Sequence, residues 1–236
     1  MEREHGHPVL IEFWDFCRPN SMRTLPYTRA WQERYEPDGL RVIGVHSPGF
    51  EPARERAAVE AAVARLGISY PVLLDPDLEM WQVYENRGWP VRYLFDQRGC
   101  LFDYHYGEGA YLETELAIQE LLVIERDPIP SLRPEDAPDA LLVAQTEDQP
   151  GAYSGPYEAG GVWAVFEGSG NVRIGATGIA GDPGEHPDTT VATELTVAHA
   201  GAYQLIEHER HTTGVLDLKI GRGVVCHATC FTPGVA

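Results

Sequence analysis

The sequence predicts an α/β domain in three layers, α/β/α, followed by a small all-β sandwich of jelly-roll-like character. Three observations lead there. Up to about residue 125, short apolar runs alternate with helical stretches, which implies parallel strands covered on both faces. Residues 126–150 are rich in proline and acids and lack periodicity, so they read as an extended linker. From residue 151 to 236 helical patterns disappear, and short strand-like runs punctuated by glycine take over.

The elements of the first part (residues 1–125) follow in order. Residues 9–14, VLIEFW, suit a strand buried on both faces. A loop around Cys17 and Pro19 leads into a helix from about Met22 to Tyr35, which ends before Pro37 and Gly39. Residues 40–46 are a second strand, and residues 51–66, rich in Ala, Glu and Arg, are a helix. A third strand at 70–74 precedes a short helix at 78–86, closed by Gly88 and Pro90. Residues 92–96 and 101–106 flank a turn at Gln97-Arg98-Gly99 and read as a hairpin. An amphipathic helix over 112–124 places Leu112, Leu116, Ile118, Leu121 and Leu122 on its apolar side.

In the second part (residues 151–236), strands are expected at 162–166, 172–174, 192–197, 202–206, 215–220 and 223–231, enough for a small antiparallel sandwich. Gly168-Ser169-Gly170 and Gly178-Ile179-Ala180-Gly181 read as turns rather than phosphate loops, because no helix follows them.

Charge narrows the partners. Acidic residues number 36 against 18 basic ones, for a net charge of −18. The excess is even, with 21 acids and 12 bases in residues 1–125 and 15 and 6 in the rest. Phosphate backbones and anionic lipid repel such a chain, so nucleic acid and membrane surfaces are poor partners. No run approaches the roughly 18–20 apolar residues of a membrane helix. The start, Met1 to Pro8, has no apolar run behind a basic flank. The expectation is a cytoplasmic protein whose four cysteines, Cys17, Cys100, Cys226 and Cys230, stay as thiols.

The segment from Phe13 to Tyr27, FWDFCRPNSMRTLPY, resembles the active-site segment of TlpA-like thioredoxins, and most of all that of DipZ-type reductases. The likeness rests on Phe13-Trp14, on Arg23-Thr24-Leu25-Pro26-Tyr27 and on Arg29-Ala30-Trp31. It continues through residues 42–48, Tyr70-Pro71-Val72, Trp89-Pro90 and Gly107-Glu108-Gly109. The resemblance implies a thioredoxin-like fold over residues 8–123 and membership of the thiol–disulfide oxidoreductases, which serve cell redox homeostasis. It implies no cofactor, and a protein thiol, a disulfide or an extended peptide as partner.

The decisive positions depart from the family. Arg18 and Ser21 stand where the family carries its two cysteines. Arginine is no nucleophile and serine closes no disulfide, so the redox motif is degenerate. Cys17 leaves two readings open. Facing outward, it would have its pKa lowered by Arg18 and the helix start, and could undergo one-thiol exchange or oxidation. Facing inward, it is an inert structural cysteine. By resemblance Pro90 is the family's cis-proline, and Trp14, Trp89 and Pro90 are expected to hold a partner peptide.

Other clusters carry less. Cysteines four apart on a strand, as in Cys226-His227-Ala228-Thr229-Cys230, lie about 13 Å apart, too far to share a metal. His208-Glu209-Arg210-His211 reads as a polar loop, and His46 ends the second strand in a structural role. The second part resembles the β-sandwich appended to DipZ-type proteins, which looks like a carbohydrate-binding module. That likeness adds a glycan as a candidate ligand, with Trp163, Tyr153, Tyr157 and Tyr203 as candidate stacking rings.

Overall fold

A computed structural model describes residues 6–177 and 191–236. The chain divides into two compact units, Met1–Leu132 and Arg133–Ala236.

In the first unit, strand β1 (Val9–Trp14) lies at the centre of a five-stranded sheet of order β3-β2-β1-β4-β5. β2 (Arg41–His46) pairs parallel with β1 and β3 (Val72–Leu74) parallel with β2. β4 (Val91–Phe95) and β5 (Leu101–Tyr106) are antiparallel. The helices are α1 (Pro19–Tyr35), α2 (Arg56–Arg65), α3 (Glu79–Val83) and α4 (Tyr111–Leu122).

β1 is buried along its whole length, as its apolar run requires. Val9, Ile11 and Phe13 pack on one face with Val45, Trp81, Val91 and Tyr93. On the other face Glu12 lies opposite Arg92, whose guanidinium rests over Trp31 of α1 and Tyr111 of α4. The stacked rings of Tyr27 and Tyr111, 3.8 Å apart, join α1 to α4. The buried Glu115 carboxylate adds to that joint by accepting from Trp31 Nε1 and from the Tyr35 hydroxyl.

α1 begins three residues earlier than expected because Pro19 takes its first position, where a missing N–H costs nothing. The helix expected over 51–66 is split. A single 3₁₀ turn (Glu51–Ala53) forms around Pro52, and α2 starts only at Arg56.

Residues 126–150 are mostly extended, with one 3₁₀ turn at Pro134–Asp136, yet they are not a free linker. The Ile129 and Leu132 amides donate to Glu115 and to the Tyr27 hydroxyl within the first unit. Within the second unit, β7 (Gln149–Pro150) pairs with β12 (Val224–Thr232), and β6 (Leu142–Val143) with β13 (Gly234–Val235).

The second unit is all-β, with a six-stranded sheet of order β10-β9-β11-β8-β12-β7 beside the β6–β13 pair. Its remaining strands are β8 (Gly155–Gly168), β9 (Gly170–Thr177), β10 (Val191–Val197) and β11 (Gly201–Ile220). Tyr157, Val162, Phe166, Val172, Ile174, Leu216, Leu218 and Phe231 form its core. The two strands expected at 202–206 and 215–220 are one strand of 20 residues. The run His208 to His211, expected as a loop, lies inside it, where register shifts between Gln204 and Thr212 absorb the polar residues. Gly168-Ser169-Gly170 turns β8 into β9, while Gly178-Ile179-Ala180-Gly181 lies outside the described residues.

Candidate functional site

The site forms where β1 ends and α1 begins. Asp15, fully buried, organises the turn between them. Its carboxylate accepts from the Cys17 amide and from the Gly49 amide, both at 2.8 Å, and so ties the β1–α1 turn to the loop after β2. The Asp15 amide in turn donates to Ser21 Oγ at 3.2 Å. His46 closes the floor, with Nε2 3.6 Å from Asp15 and its ring between those of Trp14 and Phe16. His46 is thus buried at the end of β2.

Of the residues singled out from sequence, Arg18, Trp89 and Pro90 meet. The Arg18 guanidinium lies 4.6 Å from the centre of the Phe50 ring and 4.5 Å from that of Trp89. Its Nη2 points to the Gly49 carbonyl at 3.5 Å, and a Cβ at position 49 would come within 2.6 Å of Arg18 Nε. Glycine at 49 therefore makes room for the clamp. Trp89 is fixed in turn by donating Nε1 to the Ser47 carbonyl at 2.8 Å and by stacking on Trp81 at 4.1 Å. The Trp89–Pro90 peptide bond is cis.

Three expected residues are buried instead. Trp14 is 1% exposed, packed beneath the turn beside His46, and does not line the groove. The reason is its place at the end of the central strand, which is covered on both faces. Cys17 is 0% exposed: the turn held by Asp15 directs it inward, and no thiol of this segment reaches solvent. Ser21 is likewise buried.

Sequence reasoning did not find Phe50, Gly49 or Asp15, although each is needed to place Arg18. Nor did it find that the two family-like segments around Arg23 and Glu108 meet. Arg23 Nε donates to Glu108 at 2.7 Å, and Thr24 shares a hydrogen bond with the Tyr111 hydroxyl at 3.1 Å. No local pattern signals contacts across more than 80 residues.

Beyond Trp89, a cleft of about 580 Å³ is lined by Tyr84, Glu85, Arg87, Gly88, Trp89, Tyr106 and Gly107. Below the site, burial pushes the Glu12 carboxyl up to about 7, against the opposing pull of a hydrogen bond from Thr28 and of the Arg92 guanidinium opposite. In the second unit the candidate stacking rings are spoken for. Trp163 and Tyr157 are buried, and Tyr153 and Tyr203 pack against the core with their hydroxyls bonded to backbone.

No family profile matches the chain. It is 37% identical over 147 residues to the protein DipZ of Mycobacterium bovis, a match covering 60% of this chain and 21% of that protein. The chain thus spans about a fifth of the length of that relative. It is also 26% identical over 115 residues to the thiol-disulfide oxidoreductase YkuV of Bacillus subtilis, covering 49% of this chain and 77% of that one. Among solved structures, a thiol-disulfide isomerase from Corynebacterium glutamicum aligns at 20% identity with a TM-score of 0.49, over 52% of this chain and 85% of that one.

Proposed function

Because the N-terminal unit is a redoxin domain of the TlpA and DipZ kind, we propose that it holds extended segments of partner proteins beside Trp89-Pro90 without thiol–disulfide turnover of its own. The observation that carries this reading is the exchange of chemistry at the helix start. Thiol exchange needs an accessible thiolate to attack a disulfide sulfur. Here the group at that position is a half-buried guanidinium clamped between two rings, and the adjacent Cys17 is sealed inside. What is left is a binding edge with aromatic walls and one fixed positive charge.

Turbidimetric insulin reduction with dithiothreitol tests it. The wild-type protein is expected at the uncatalysed background. The double variant Arg18→Cys/Ser21→Cys is expected to gain turnover, since positions three apart at a helix start fall within disulfide span. Wild-type turnover that disappears in Cys17→Ser would overturn the reading.

A further inference from the structure

We propose that the outer edge of β5 receives an additional strand from a partner protein, an extended segment alternating apolar and basic residues. β5 ends its sheet and, among the described residues, pairs with β4 alone. The Gly107 amide donates to the Pro90 carbonyl at 2.8 Å, and the register sets Tyr106 opposite Val91 and Tyr104 opposite Tyr93. Bonded and non-bonded positions alternate along an antiparallel pair, so Asp103 and His105 face β4. Tyr104 and Tyr106 therefore turn their N–H and C=O groups to the open edge.

The side chains there are equally available. Tyr104 is 57% exposed, Tyr106 45% and Phe102 42%. Tyr104 and Tyr106 brace each other at 5.8 Å and both lean on Tyr93, so the platform is ordered before anything binds. Soluble proteins protect such edges with lysine, proline or a covering element; residues 101–106 have neither residue, and no described element covers them. The 580 Å³ cleft opens beside Tyr106 and can seat a side chain at the end of the incoming strand.

Charge chooses the occupant. Glu85 is exposed in the cleft beside Tyr106, which Arg87 also lines, and residues 1–125 as a whole carry 21 acids against 12 bases. Two copies of a chain with net charge −18 repel each other, whereas a cationic strand is attracted. The cleft at its end shares Trp89 with the Arg18 clamp, but the open edge of β5 does not depend on the absence of thiol turnover.

The test titrates the full chain with a fluorescein-labelled peptide alternating valine and lysine, against one alternating valine and glutamate. The lysine peptide is expected to bind about tenfold more tightly at low salt, and to slow amide hydrogen exchange at Tyr104 and Tyr106 by about tenfold or more. Tyr104→Pro removes an outward N–H and no bond to β4, and should weaken binding about tenfold with an unchanged circular dichroism spectrum. Tyr104→Thr keeps the N–H, loses the ring, and should weaken binding less. Equal affinity for the two peptides would overturn the proposal. So would protection that spares Tyr104 and Tyr106, or a concentration-dependent dimer abolished by Tyr104→Pro.

Discussion

At the residue scale, Arg18 gains from two ring faces, each worth about 0.5–1 kcal/mol near the surface. Gly49 gives it the space to do so. Arg18→Ala should therefore lower stability by about 1 kcal/mol. Gly49→Ala should cost a similar amount by displacing the guanidinium, and the double variant should cost no more than either single one. Urea unfolding of the four proteins measures this coupling, and simple additivity would deny the clamp.

Glu12 makes a second residue-scale prediction. Its folded value of about 7 lies above the ordinary 4.5. Between those values the folded protein holds a proton that the unfolded chain has released, so stability falls as pH rises through this window. The loss is complete above pH 7 or so and on the order of 3 kcal/mol. Glu12→Gln should flatten the pH dependence between about pH 5 and 8, and thermal melts across that range are the check.

At the scale of elements, one carboxylate joins two loops. Asp15→Ala would leave the Cys17 and Gly49 amides without their acceptor. A loss of about 2–3 kcal/mol is expected in chemical denaturation, with faster hydrogen exchange at both amides. In the second unit, a Cβ on Gly160 would sit 2.3 Å from the Pro233 carbonyl oxygen and 2.6 Å from Gly234 Cα. Both contacts are with backbone, which cannot step aside, so Gly160→Ala should destabilise that unit by about 2 kcal/mol or more.

These two sites also mark where sequence reading stops. β1 was legible from VLIEFW because burial on both faces leaves its trace in the residues themselves. β11 was not legible as one strand, because the polar run His208 to His211 interrupts the apolar alternation that a strand is read by. Asp15 and Gly49 escaped notice for a different reason. Their bond closes over more than 30 residues, and nothing near either one announces the other.

At the scale of the whole chain, a net charge of −18 opposes compaction. Raising salt from low to physiological ionic strength should stabilise the protein by about 1 kcal/mol, or ~4 °C in Tm. A scanning melt at several salt concentrations would read this directly. The division into an α/β unit and an all-β unit was visible in sequence, since periodicity changes from helical to alternating at about residue 150. The exact boundary after Leu132 was not. Proline-rich extended chain reads as linker whether or not side chains such as Glu115 and the Tyr27 hydroxyl capture its amides.

The central claim is that this redoxin unit presents no reactive thiol at its helix start. Peptide-mapped alkylation of the native chain with iodoacetamide at neutral pH addresses it most directly, read as a rate for each of the four cysteines. The exposed Cys100 should label at the rate of a model thiol, Cys226 more slowly because burial pushes its thiol up to about 11, and the buried Cys17 and Cys230 only on unfolding. Labelling of native Cys17 as fast as that of Cys100 would contradict the account.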